Sequence, residues 1–103
     1  MLISSDKNPG IPLVAIFFQM AGELLKSRGV TFKLDKGTTD QFGRAQVLVG
    51  DNEVGRVKVD DRIGSVVFET NTLLKIADLD SKNPVRSIIA IIDEPVLKRL
   101  EQS

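Results

Sequence analysis

Four carboxylates fall in the short polar segments between apolar runs in the middle of the sequence: Asp51, Glu53, Asp60 and Asp61. Carboxylate oxygens are the ligands that Mg²⁺ and Ca²⁺ prefer in proteins. Their spacing does not match an EF-hand loop, and Asp51 and Asp60 are expected at opposite ends of one strand, roughly 20 Å apart. We therefore interpret these residues as turn formers and expect no metal site.

The side chains that most often act as nucleophiles or general bases are missing. The chain contains no histidine, no cysteine and no tyrosine. Its serines therefore have no histidine partner, and residues 36–39 (KGTT) place lysine before glycine, which is the wrong order for a phosphate-binding loop. Because only carboxylate and lysine chemistry remain, the sequence predicts a binding protein that is not an enzyme, without catalytic residues or a cofactor.

The alternation of apolar and polar residues in three predicted strands places a group of basic residues on one face of a sheet. Apolar residues alternate with polar ones in three runs: Val30, Phe32 and Leu34; Ala45, Val47 and Val49; Val57 and Val59. If these apolar residues face the core, the opposite face carries Lys33, Arg44, Gln46, Arg56 and Lys58. We count one acid on this face, Asp35, because the other acids of the region are expected in turns.

This basic face suggests binding of single-stranded nucleic acid, DNA included, or of an acidic protein surface. The alternative is an ordinary solvent-facing sheet, on which lysine also discourages aggregation between sheet edges. The face is expected to lack aromatic residues for base stacking, since Phe42 is placed in a loop and most of the other phenylalanines in the core. We expect nucleic-acid binding to be the function and these five residues to be the contacts.

The second hypothesis is a protein–protein adaptor or inhibitor that acts through its helices. The terminal helix presents Val96, Leu97 and Leu100, and one small core is not expected to bury every apolar helix residue. Surplus apolar surface of this kind often forms a two-fold dimer interface. We therefore expect these three residues to form a homo-oligomer interface, with packing inside a single chain as the alternative.

A helix is predicted over residues 12–28. Leu13, Phe17, Met20, Ala21 and Leu24 share one helical face, and Val14, Phe18 and Leu25 widen it. Gly29 is expected to end the helix in the left-handed conformation. Four antiparallel strands should follow as a meander, the third joined to the second by a tight turn at residues 50–53 and the fourth covering residues 63–69.

The last third of the sequence is expected to be helical. A short helix capped by Asn71 would carry Leu73, Leu74, Ala77 and Leu79. Residues 85–92 fit helical spacing, although their β-branched residues leave a buried strand as the alternative. A final helix is predicted to begin at residues 93–94, with Pro95 in its first turn.

These elements predict a single α+β domain over residues 1–103, with residues 1–10 as a loop or edge segment. The 14 Lys and Arg balance the 14 Asp and Glu, so electrostatic binding must come from local clusters of charge. The longest apolar run, residues 11–18, is too short to span a bilayer. We expect a cytoplasmic protein that does not interact with membranes.

Overall fold

The computed structural model describes residues 10–102, so the loop predicted at residues 1–10 lies, apart from Gly10, outside the described residues. The elements in chain order are α1 (Leu13–Leu25), a 3-10 turn (Lys26–Arg28), β1 (Val30–Leu34), β2 (Phe42–Val49), β3 (Asn52–Asp60), β4 (Ser65–Glu69), β5 (Leu74–Asp78), α2 (Pro84–Ile92), a π turn (Asp93–Leu97) and α3 (Lys98–Gln102). None of the helices in this part of the chain has the length and apolar character needed to cross a bilayer.

The five strands form one antiparallel sheet in which spatial order follows chain order, from β1 to β5. Helix α1 packs on β1 and β2, and α2 packs on α1, β4 and β5. Helices gathered against an antiparallel sheet make this an α+β fold, as the sequence predicts. The sheet has five strands instead of the expected four.

The inner face of the sheet, which the helices cover, carries the apolar positions predicted for β1, β2 and β3. Val47, Val57 and Val59 are fully buried, and β4 adds Val66 and Phe68 to the same core. Alternate side chains of a strand point to opposite faces of its sheet. The burial of this set therefore fixes which residues remain on the other side, hereafter the outer face.

Helix α1 lies within the predicted range. The backbone N–H of Leu13 donates to Asp40 Oδ1 at 2.7 Å, so a loop carboxylate satisfies one free amide at the start of the helix. The following 3-10 turn ends at Gly29, whose φ of 79° is left-handed as predicted. The two ends of the helix are therefore set by a distant side chain and by a glycine.

The buried stripe of α1 differs from the expected one. Val14, Phe18, Ala21 and Leu25 are buried, whereas three members of the predicted stripe are exposed: Leu13 (45%), Met20 (52%) and Leu24 (64%). Both stripes satisfy helical spacing, so periodicity alone does not choose between them. The face that contacts the sheet carries Phe18, whose ring lies 5.6 Å from that of Phe32.

The helix predicted from Asn71 is wrong, because residues 74–78 form strand β5. A turn at residues 70–73 reverses the chain: Thr70 Oγ1 accepts the N–H groups of Thr72 and Leu73, and the Thr70 N–H donates to the Leu73 carbonyl. The returning segment pairs with β4 from Glu69↔Leu74 to Ser65↔Asp78. A helix of this length is only marginally stable by itself. In β5, the same backbone groups pair with those of β4.

The C-terminal third combines a confirmed helix with an irregular turn. Asn83 Oδ1 accepts from the Arg86 N–H at 3.1 Å and caps α2, so residues 85–92 are helical. The chain continues through the π turn into α3 instead of starting a separate helix. Pro95 has no N–H to give to the carbonyl four residues earlier, which favours a π turn at this place.

Two of the three residues predicted at an oligomer interface belong to the core of their own chain. Val96 is 5% exposed and Leu97 is 1% exposed, while Leu100 is partly buried against the same core. These side chains therefore pack inside a single chain, which was the alternative to an interface, because α2 and the π turn bring them beneath the sheet. They do not form the exposed apolar surface that the interface hypothesis required.

Candidate binding face on the outer side of the sheet

Strand register brings together all five residues predicted to bind nucleic acid. Lys33 lies opposite Gln46, and Gln46 lies opposite Arg56, which makes one row across β1, β2 and β3. Arg44 lies opposite Lys58 in the next row of the same face. Neighbouring strands are about 4.8 Å apart, so the four cations occupy one contiguous patch, hereafter the basic patch.

The basic patch is accessible to solvent. Lys33, Arg44 and Arg56 are exposed, and Gln46 and Lys58 are half-buried. The side chains of Arg44 and Arg56 retain 56% and 51% of their accessible surface. The patch therefore presents charged head groups that can bind a partner without a rearrangement of the fold.

More acids border the basic patch than the sequence predicts. Asp35 Oδ2 lies 3.8 Å from Arg44 Nε, and Glu53, which belongs to β3 and not to a turn, places Oε2 3.7 Å from Arg56 Nε. Glu69 of β4 lies opposite Arg56. Exposed ion pairs of this length contribute little to stability, so an anionic partner can displace them at low cost. No ion pair within residues 10–100 involves Lys33 or Lys58.

An aromatic residue that the sequence analysis assigned to a loop lies on this face. Phe42 is the first residue of β2 and pairs with Asp60, two positions along β2 from Arg44. The guanidinium of Arg62 lies 5.4 Å from the centre of the Phe42 ring, within the range of a cation–π contact. The signal in the sequence was the i, i+2 relation between Phe42 and Arg44, which places both on one side of a strand.

Asp60 holds Arg62 in this position. The carboxylate accepts hydrogen bonds from Arg62 Nε at 3.0 Å and Nη2 at 2.9 Å, and from the Arg62 backbone N–H at 3.1 Å. These bonds, with the nearby charges of Arg62 and Lys58, lower the pKa of Asp60, although partial desolvation opposes the shift. The carboxylate therefore stays ionised at neutral pH, and Arg62 remains fixed above Phe42.

An apolar strip lies on the outer face beside the basic patch, between Glu69 and Ser65 of β4. Val67 of β4 pairs with Ile76 of β5, and Ile76 and Leu74 are 68% and 60% exposed. The strip does not follow from the sequence pattern, because Leu74 and Ile76 fall in the segment that was predicted to be helical. The outer face thus combines the basic patch on β1 to β3 with an apolar strip on β4 and β5.

The turn carboxylates are not arranged for metal binding. Asp51 precedes β3 and Asp60 ends it, so the strand separates them. Within the described part of the chain, no group of three or more carboxylates lies close enough together to hold a metal ion.

Comparisons of the chain with protein-family models, with curated proteins and with solved structures found no significant match.

Proposed function

We propose that the chain binds single-stranded nucleic acid on the outer face of β1, β2 and β3. The observation that carries the proposal is the register, which sets four basic side chains in two adjacent rows of an accessible sheet face. Lysine and arginine contact phosphates without reading sequence, and such contacts release condensed cations from the strand. The expected affinity is modest and strongly dependent on salt.

The pair formed by Phe42 and Arg62 supplies a second kind of contact. Bases stack on aromatic rings and on guanidinium planes, and stacking is a main source of affinity for single strands. Phe42 lies on the same face as Arg44 and Lys58. A strand whose phosphates lie along the basic patch would therefore bring a base to this end of the sheet.

The proposal is tested by fluorescence anisotropy with a labelled oligonucleotide at several salt concentrations. Four phosphate contacts on a single strand predict a slope of about −2.8 for log affinity against log salt, or about 50-fold between about 50 and about 200 mM. The double substitution Lys33→Ala with Lys58→Ala should reduce this slope to about −1.4, because two of the four contacts are lost. The melting temperature should stay close to that of the wild type, since neither lysine is in the core.

Lys82→Ala with Lys98→Ala is the matched control, because it removes the same charge from exposed positions outside the basic patch. The control should bind like the wild type. An equal loss in both double variants would show that only net charge matters and would exclude the outer face as the site. Absence of binding at about 50 mM salt would contradict the proposed function itself.

A second candidate function, self-association through α1, has its own supporting observation. Leu13, Met20 and Leu24 form an exposed apolar stripe on that helix, and such stripes commonly pair about a two-fold axis. The exposed stripe supports a homodimer interface on α1 in place of one at Val96, Leu97 and Leu100.

Light scattering at low and high protein concentration tests this candidate. Met20→Glu with Leu24→Glu should convert a dimer to a monomer, because a dimer would bury the introduced charges without partners. Thr72→Glu with Ser81→Glu adds the same charge at exposed polar positions outside α1 and should leave the mass unchanged. A wild-type chain that is monomeric at its highest soluble concentration would contradict the candidate.

A further inference from the structure

A large cavity opens at one end of the sheet, beside the basic patch. It has a volume of about 890 Å³ and lies between the start of β3, the turn at residues 70–73 and the C-terminal helical segment. Its size falls within the range of cavities that hold small organic ligands. One of its lining residues is Arg56, which is also a member of the basic patch.

Two backbone irregularities line this cavity. Val47 pairs with Gly55 and Leu48 pairs with Glu53, so Val54 is an extra residue that makes a β-bulge in β3. Pro95 and Val96, which also line the cavity, belong to the π turn. Bulges and π turns both occur preferentially beside functional sites, because they redirect side chains that a regular element would place elsewhere. Here, the β-bulge of β3 and the π turn of the helical layer border the same cavity.

The lining combines apolar surface with hydrogen-bonding groups at the rim. Val54, Leu73 and Val96 provide the apolar part. The cavity is also lined by Asn52, Asn71 and Thr72, and within residues 10–100 no hydrogen bond involves the side chains of these three residues. An amide both donates and accepts, which suits the edge of a nucleobase, and apolar side chains suit its faces.

We infer that the cavity receives an unstacked base of the nucleic-acid strand that the basic patch binds, an inference that rests on the proposed function. Arg56 is the link between the two sites, because a phosphate held at Arg56 leaves its nucleotide at the entrance of the cavity. The strand then makes phosphate contacts along the sheet, a stacking contact at Phe42 and Arg62, and one base contact in the cavity at the opposite end of β2 and β3. The phosphate contacts determine the salt dependence, and the contact in the cavity determines any preference among bases.

Abasic scanning of a short labelled oligonucleotide tests this inference. Each nucleotide in turn is replaced by an abasic one, and affinity is measured by anisotropy at fixed salt. Loss of the base that occupies the cavity should weaken binding by about tenfold at one position, in keeping with the contribution of a single base contact. In the double variant Asn71→Ala with Thr72→Ala this positional penalty should fall several-fold, while the slope with salt should equal that of the wild type.

Gln19→Ala with Ser81→Ala is the control, since both residues are exposed and polar and lie away from the cavity. It should retain the positional penalty. Equal affinities for every abasic oligonucleotide, or the absence of any position whose penalty falls in the cavity variant, would overturn the inference and leave the phosphate contacts intact. Loss of salt-dependent binding to all oligonucleotides would instead remove the proposed function, and the inference with it.

Discussion

Replacement of Gly55 by alanine should destabilise the fold by about 3 kcal/mol, at the upper end of the range for overpacked cores. A Cβ atom on Gly55 would lie 2.5 Å from Cζ of Phe68 and 2.9 Å from the carbonyl oxygen of Glu69. The ring of Phe68 is fully buried, and the Glu69 carbonyl is part of β4. Because both neighbours are fixed by packing or by pairing, the added methyl group forces the strands apart.

Gly22→Ala is the matched control for this substitution. Gly22 lies in the middle of α1, and the nearest atom to its added Cβ would be Cδ2 of Phe32 at 3.7 Å, an ordinary van der Waals contact. Alanine should therefore stabilise the helix by about 0.5–1 kcal/mol. Urea unfolding of both variants measures the difference. A Gly55→Ala variant with the wild-type midpoint would contradict the packing described for β3 and β4.

Leu97→Ala should destabilise the monomeric fold by about 2–5 kcal/mol, because it removes a fully buried side chain and leaves a cavity. Leu97 is 1% exposed and packs in the core with α2 and the sheet. The substitution leaves the hydrogen bond from Arg28 Nη2 to the Leu97 carbonyl, at 3.3 Å, free to form. The loss of stability should therefore be due to lost packing, and it should not depend on protein concentration.

Leu24→Ala provides the comparison, since Leu24 is 64% exposed on α1. An exposed substitution of this kind should change the free energy of unfolding by less than about 0.5 kcal/mol in a monomer. Urea unfolding at two protein concentrations separates the roles of the two leucines. A loss for Leu97→Ala that varied with concentration would indicate an interface at Leu97, contrary to its position in the core.

Much of the outer face is predictable from the sequence because a strand has a strict period of two. Once Val30, Val47 and Val57 are assigned to the core, Lys33, Arg44 and Arg56 must lie on the other side. Strand alternation predicts Asp35 at this patch but not Glu53. Glu53 looks like a turn residue, and strict alternation from Val57 would direct it to the core; the bulge at Val54 turns it to the outer face.

Local pattern also determined the existence of α1 and the tight turn between β2 and β3, and it favoured a helix over residues 85–92 without excluding a strand. These features depend on neighbours in the chain, such as the left-handed Gly29 and the cap at Asn83. Interactions of this range are visible in the sequence. These local interactions explain why the predicted fold class, α+β, agrees with the structure.

Tertiary structure alone decided β5, the buried side of α1 and the cavity. Residues 74–78 form a strand because they hydrogen-bond to the free edge of β4. Helix α1 has two apolar stripes, and Val14 is buried while Leu13 is exposed because only the stripe with Val14 contacts the sheet. Val96 and Leu97 are buried for the same reason, since the π turn directs them beneath the sheet. In each case the outcome depends on contacts between distant segments, whose free energies a local pattern does not contain.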